Sequence, residues 1–243
     1  MKKIIEKHEK IAFMFSGGKD SLACLFLLRP FLDKITVIWV NTGDAFPETV
    51  KIIKDHTYEL LNFIEVKTDV KKFKESFGMP TDLVPIKNSQ VGKMAVVKSD
   101  IKLINGYECC LHNLWIPAMK AANDIGATLI IRGQRNDEKA KSPIRSGHVE
   151  NGVEYLFPIE DWTQEHVLDY LRSNGFEPPE FFNFAESSLD CMGCTAFLDG
   201  IADRKEYMIK NHPEKHSENI INLKKIIDAA EKELDYMKGY ANG

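Results

Sequence analysis

The chain has 243 residues, 44% of them apolar, with a formal charge of −4. That is enough apolar material for one large domain or a domain with an appendage, and the acidic balance argues against a generally basic nucleic-acid surface while leaving room for a local patch. The first ten residues are charged throughout and lack the apolar core of a signal peptide. No apolar run approaches membrane-spanning length, so a cytoplasmic protein without membrane contact is expected.

Residues 11–15 are an apolar run of strand character, and a second apolar run over 22–28 belongs to a helix expected over 21–32. Between them stands Ser16-Gly17-Gly18-Lys19-Asp20-Ser21. A strand, a glycine turn and a helix in that order aim backbone N–H groups at an anion. Gly17 and Gly18 would let the backbone approach a phosphate, Lys19 adds charge, and Ser16 and Ser21 add hydroxyl donors. The pattern is not the Walker loop, because Phe13 stands where its first glycine belongs and Asp20 where Ser or Thr should follow the lysine. An ordinary turn with a solvated lysine is the plainer alternative.

Residues 35–40 read as the second strand and residues 48–61 as the next helix, with Pro47 suited to its first turn. The small polar turn Asn41-Thr42-Gly43 between them could meet the adenine or ribose of a nucleotide held by the first loop, or simply reverse the chain. Strands are also expected at 62–66 and 128–132. Alternation of this kind predicts an α/β fold, a parallel sheet with helices on both faces, whose ligands lie beyond the carboxyl ends of the strands. Arg132, Gly133 and Arg135 fall at such an end. Two guanidinium groups beside a glycine suit a phosphate or sulfate, with a solvated loop as the alternative.

From 68 to 102 the pattern weakens around Gly78, Pro80, Pro85 and Gly92, with lysines recurring through it. This predicts an irregular segment, either a functional loop or lid or a solvated insertion. A helix over 111–124 must place Pro117 in its first turns or kink there. Asp161 or Thr163 can cap a short helix over 165–172. Asp203-Arg204-Lys205-Glu206 has the form of a capping box, and 217–237 is a long charged amphipathic helix suited to packing or oligomer contacts. The expected division is a nucleotide-binding domain over 1–200 and a helical C-terminal extension over 201–243.

Five cysteines are present. Cys24 lies in the first helix and reads as a core residue. Cys109-Cys110 and Cys191-Met192-Gly193-Cys194 make two pairs, which point to metal or redox chemistry more than to structural disulfides. Adjacent cysteines chelate a single small ion poorly, whereas the spread irons of an iron–sulfur cluster can each take one thiolate. A four-thiolate zinc site, a redox disulfide and inert buried thiols stay open.

Ser-Gly-Gly-Lys-Asp-Ser resembles the pyrophosphate loop (PP-loop) of the ATP pyrophosphatase superfamily. The run from Asn41 to Thr49 is similar to the Asp-Thr-Gly-x-x-Phe-Pro-Glu-Thr segment of the phosphoadenosine-phosphosulfate (PAPS) reductase family within it, with Asn41 in place of the aspartate. Arg132–Asp137 resembles that family's Gly-x-Arg segment, and 157–171 its Pro-Leu-x-Asp-Trp-Thr stretch, read here as a capped helix with Trp162 packed at its start. The cysteine arrangement resembles that of assimilatory adenylyl-sulfate reductases. The resemblance spans about residues 11–200. It implies an adenine-nucleotide α-hydrolase-like (Rossmann-like) sheet, ATP with Mg²⁺ on Ser16–Ser21, and a [4Fe–4S] cluster on Cys109, Cys110, Cys191 and Cys194. The basic residues that commonly follow the cysteine pair in those reductases are replaced by Leu111-His112-Asn113-Leu114-Trp115.

Two features bear on the reaction. The loop suited to ATP phosphates is intact, and no cysteine follows Cys194 to serve as the C-terminal nucleophile of sulfonucleotide reductases. The expectation is therefore adenylation of a substrate with pyrophosphate release, in sulfur transfer. Lys19 would neutralise the departing group, and Asp20 would help to hold Mg²⁺. The acceptor would be a nucleic acid, touching the lysines of 71–102, or a small molecule, and a sulfur donor would be needed. The alternatives are a sulfonucleotide reductase using a thiol from a partner, and a non-catalytic nucleotide- and cluster-binding sensor or assembly protein. A homo-oligomer is compatible with all three.

Overall fold

The computed structural model describes residues 1–95, 101–138, 141–184, 190–201 and 204–242. Among these, eight strands are present: β1 (Ile11–Met14), β2 (Ile35–Asn41), β3 (Phe63–Lys67), β4 (Met79–Thr81), β5 (Leu103–Asn105), β6 (Leu129–Arg132), β7 (Val149–Glu150) and β8 (Val153–Leu156). The chain divides into two compact units, residues 1–68 with 114–190, and residues 69–113 with 191–243. This division crosses the one expected at residue 200, because the C-terminal helices fall in the same unit as both cysteine pairs.

The first unit is built on a sheet of order β3-β2-β1-β6-β8-β7. Its pairs are parallel except for the β7–β8 hairpin at the edge. β1 is apolar throughout because it is central and covered on both faces, with Ile11, Ala12 and Phe13 buried. On one face Ala12, Ile38 and Ile130 pack with Ala121 and Ala122 of the Ile116–Asp124 helix. The Lys19–Leu28 helix packs against the Gln164–Ser173 helix. The chain leaves β1 for β2 on one side, while β6 pairs with its other side, so the order of strands reverses between β1 and β6. Open parallel sheets bind ligands at such a switch point.

Several boundaries differ from expectation. The first helix begins at Lys19 and ends at Leu28, followed by a 3₁₀ turn over Arg29–Phe31, because Pro30 has no N–H to continue the ladder. The second, Pro47–Thr57, carries its proline in the first turn. The β7–β8 hairpin was not expected. Its turn, Asn151 and Gly152 with φ of 51° and 80°, is the Asn-Gly type that matches strand twist, but the strands it joins are too short to show alternation.

In the second unit the segment expected to be irregular is largely regular. Its helix, Val70–Phe77, is capped by the Asp69 carboxylate, which accepts a hydrogen bond from the Lys72 amide at 2.9 Å. β4 pairs in parallel with β5, and a 3₁₀ turn and a helix cover Ile86–Asn88 and Gln90–Met94. Gly78 permits this at φ +124°, where a Cβ would meet the Lys102 carbonyl carbon at 2.6 Å. The helix expected over 111–124 begins earlier, at Gly106–Cys110, and passes through a π turn over Leu111–Trp115 into Ile116–Asp124. The π turn precedes Pro117, which cannot donate to the carbonyl four residues back. Helices Lys205–Asn211 and Pro213–Asn242 close the chain. Asp203, the expected cap of the former, lies outside the described residues. No helix among the described residues is long and apolar enough to cross a membrane.

Candidate functional site

At the carboxyl end of β1 the chain enters the Ser16–Ser21 loop. Gly17 takes φ +74°, and a Cβ there would stand 2.7 Å from Ile53 Cγ1 and 3.1 Å from Thr49 Cγ2. Conformation and space therefore both require glycine. Ser16 Oγ and Ser21 Oγ lie 3.1 Å apart, and the Ser21 hydroxyl donates to the Gly18 carbonyl at 3.0 Å. Gly18 is the N-cap of the helix, so the first-turn amides of Lys19, Asp20 and Ser21 have no intrahelical acceptor. Lys19 is only 4% exposed, with Nζ 3.6 Å from the Asp20 carboxylate. The Lys19 cation and the first-turn amides together place donors and positive charge at the end of the helix that favours an anion.

The β6 loop closes against this turn. Gly133 has no room for a side chain: a Cβ would lie 2.8 Å from the Asp20 carbonyl carbon and the Ser21 nitrogen. Arg132, in register with Met14, is largely enclosed, and burial lowers its pKa. Arg135, expected beside it as an oxyanion ligand, has a different task. It is 3% exposed, its Nε lies 2.8 Å from Asp20 Oδ1, and its Nη1 lies 2.8 Å from Asp137 Oδ1. Glu138 also approaches at 3.8 Å and accepts from the Arg135 amide at 3.3 Å. Burial, then the Asp20 charge, pushes the Glu138 carboxyl above its usual range. The structure thus gives Arg135 to the carboxylates of both loops, and Lys19, beside Asp20, and Arg132 are further cationic side chains of this loop pair.

Beyond β2, Asn41 Oδ1 accepts from the Gly43 amide at 3.0 Å while Nδ2 donates to Glu65 at 2.7 Å. Thr42 is buried, its hydroxyl 3.5 Å from the Asp190 carbonyl that accepts from it, and it accepts in turn from the Asp44 amide at 3.3 Å.

All five cysteines are thiols. Cys24 is fully buried, and burial raises its pKa well above the usual value, as expected of a core residue. The other four fall in the second unit. Cys109 joins Val70 and Ile104 in an apolar cluster against which Cys191 packs. Burial pushes its pKa up to about 11, opposed by the Lys74 charge and by a 3.8 Å approach of Asn113 Nδ2 to its sulfur, while Cys194 adds to the rise. The Cys191–Cys194 loop is gripped from outside: Lys74 donates to the Gly193 carbonyl at 2.8 Å, Asn219 to that of Met192 at 2.9 Å, and Arg204 to those of Cys191 and Cys194 at 3.5 and 3.3 Å. Among the described residues no group of three or more His, Cys, Asp or Glu could hold a metal ion as it stands. Consecutive cysteines on a helix point about 100° apart, which suits separate irons better than one ion. Thiols, cations and an amide donor together are the surroundings an anionic cluster needs.

The model of the phosphoadenosine phosphosulfate reductase domain matches residues 10–197. The chain belongs to this family. It is 26% identical over 200 residues to an uncharacterized protein of Methanocaldococcus jannaschii, covering 79% of this chain and 43% of that one. It is 25% identical over 177 residues to the phosphoadenosine 5′-phosphosulfate reductase of Buchnera aphidicola, covering 72% and 66%, so the chain spans between two fifths and two thirds of these relatives' lengths. The PAPS reductase of Candida auris, crystallised as a phosphate complex, superposes with a TM-score of 0.53 at 14% identity, covering 75% of this chain and 81% of that one. That likeness supports the fold.

Within the PAPS reductase family the Asn41 departure has a structural reading. An amide both accepts from Gly43 and donates to Glu65, whereas an aspartate would set two carboxylates against each other. The Trp162 stretch is as expected: Thr163 Oγ1 caps the helix through the His166 amide at 3.2 Å, and Trp162 stacks on His166 at 4.2 Å between ring centroids. His112 stacks on Phe73, and its neighbour Asn113 reaches Cys109. The lysines of 71–102 are partly engaged within the chain, Lys87 with Glu233 at 2.8 Å and Lys102 with the Ser76 carbonyl at 2.9 Å. Asn113, Arg204, Asn219 and Glu138 were not singled out from the sequence as site residues, and Lys74 was expected only as one of the lysines facing an acceptor. Only the adjacency of Asn113 to the cysteine pair offered a signal.

Proposed function

We propose that this member of the PAPS reductase family binds ATP with its phosphates on Ser16–Ser21 and transfers AMP to a substrate, with release of pyrophosphate, in sulfur transfer. The observation that carries the reading is the loop itself: a left-handed Gly17, paired serine hydroxyls and a buried Lys19 at the start of a helix at the switch point. A substrate oxygen attacks the α-phosphorus, and the bond to the oxygen bridging to the β-phosphate breaks. Lys19 and the first-turn amides stabilise the charge that gathers on the pyrophosphate. Thr42 and Gly43, at the end of the next strand, suit the nucleoside. When bound, Mg²⁺ would supply further neutralisation of the phosphate charge. Asp20, paired with Arg135 and Lys19, and Asp137, also paired with Arg135 and 45% exposed, are the carboxylates of these two loops that would help to hold it.

Cys109, Cys110, Cys191 and Cys194 are the ligands we propose for a [4Fe–4S] cluster. When bound, such a cluster supplies one-electron redox capacity and a place to hold sulfur. Lys74 and Arg204 compensate its negative charge in place of the basic residues missing after the cysteine pair.

A second reading, a sulfonucleotide reductase, is favoured by the named activities of the relatives. In it a thiolate from a reductant partner attacks the sulfur of PAPS or adenylyl sulfate, and the nucleotide leaves. The test is anaerobic purification followed by two assays: pyrophosphate release from ATP with tRNA, DNA or small acceptors, and thioredoxin-dependent sulfite release from PAPS or adenylyl sulfate. Pyrophosphate release abolished by Lys19→Ala supports the first reading. Sulfite release without it replaces the first by the second. Tight ATP binding with neither turnover would make the protein a sensor or assembly partner.

A further inference from the structure

The four consecutive carbonyls of Cys191, Met192, Gly193 and Cys194 are each bonded to a side-chain donor, and the donors come from three separate places in the second unit. Lys74 reaches in from the Val70–Phe77 helix, Arg204 from the start of the Lys205–Asn211 helix, and Asn219 from the Pro213–Asn242 helix. Turns ordinarily leave some carbonyls to water. Here the buried Oδ1 of Asn219 has no hydrogen-bond partner among the described residues while its Nδ2 serves Met192. An unmatched buried acceptor is unfavourable, so the amide's orientation is held by the loop and not by its own surroundings.

We infer that Lys74, Arg204 and Asn219 form a clamp that fixes the backbone of the Cys-Met-Gly-Cys loop, so that the directions of the Cys191 and Cys194 thiols are set before any metal arrives. With all four carbonyls held, no peptide of the loop can turn over without breaking a bond to a half-buried or buried side chain. Two of the three donors are cations, so the same clamp places positive charge behind the thiols. Lys74 and Arg204 thereby supply cations that the flanks of Cys109-Cys110 lack, since neither Lys nor Arg stands among residues 105–115. These are positioning residues, acting through the cysteines. The inference rests on the reading of those cysteines as cluster ligands.

The test uses the full chain and the variants Lys74→Met, Asn219→Leu and Lys74→Arg, each reconstituted anaerobically with ferrous iron and sulfide. Loss of visible absorbance under a ferrous chelator and the midpoint potential are measured, with ATP binding as the control for folding. Chelation should be roughly 10–100-fold faster in Lys74→Met and Asn219→Leu, the range seen when supporting partners of metal ligands are removed. The potential should fall in Lys74→Met and return in Lys74→Arg, while ATP binding stays unchanged. Wild-type chelation rates and potentials in all variants would overturn the clamp. If the wild-type chain itself takes up no iron and sulfide, the cluster reading fails. The clamp is then decided by maleimide labelling of Cys191 and Cys194: faster labelling in Lys74→Met and Asn219→Leu upholds it, and equal rates reject it.

Discussion

Arg135 Nε lies 2.8 Å from Asp20 Oδ1, joining the loop after β6 to the loop after β1. The arginine is 3% exposed and the aspartate 18%. Neither atom has a well-directed hydrogen bond among the described residues, so the contact is one of charge. Its low exposure makes it an internal strut of the phosphate loop, since removing one member leaves a charge with little water around it.

Arg135→Met should therefore destabilise the protein by about 3 kcal/mol, the cost of orphaning a buried charge. Urea unfolding measures it. Adding Asp20→Asn should recover part of the loss, and strictly additive effects would show that the two residues do not interact.

Gly17 and Gly126 both have positive φ, 74° and 69°, yet only Gly17 is crowded. Gly126→Ala should cost about 1–2 kcal/mol from left-handed strain alone and leave nucleotide binding untouched, because nothing lies within 4 Å of the added Cβ. Gly17→Ala adds the clash with Ile53, about 1–3 kcal/mol more, and should abolish ATP binding. Equal unfolding midpoints for the two variants would contradict the steric argument.

Gly133→Ala presses on backbone, not on a flexible side chain. The 2.8 Å approach to Asp20 and Ser21 can be relieved only by separating the two loops. ATP affinity should drop at least about tenfold, or 1.4 kcal/mol, in an isothermal titration. Wild-type affinity would mean that the β6 loop does not shape the phosphate site.

His56 sits edge-on to Phe26 and Phe176, at 5.4 and 5.6 Å between centroids. Burial lowers its pKa from 6.5. The folded state thus binds its proton less readily than the unfolded state. Stability from this residue is full above pH 6.5 and is lost as the pH falls from there through the lower folded value. The melting temperature should drop on going from pH 7.5 to pH 5.5, and His56→Phe should flatten that dependence.

Much of the first unit was legible because its signals are local. A four-residue apolar strand, a glycine turn and a helix lie within residues 11–28, and the cap Thr163 with the ring pair Trp162 and His166 lies within residues 162–166. Hydrogen-bonding capacity and periodicity act at that range, so the sequence by itself determined the four parallel strands β1, β2, β3 and β6 and the place of the Ser16–Ser21 loop at a strand end. Contacts between distant residues were decided by the tertiary structure. Arg135 turns to Asp20 because parallel pairing of β1 and β6 stacks their loops, which no local pattern encodes. The grip on the cysteine loop spans more: Lys74 meets Gly193 across 119 positions and Asn219 meets Met192 across 27. In the sequence these are a lysine among lysines and an asparagine on a charged helix. Side-chain reach in the folded chain, and not residue type, makes them neighbours of the thiols.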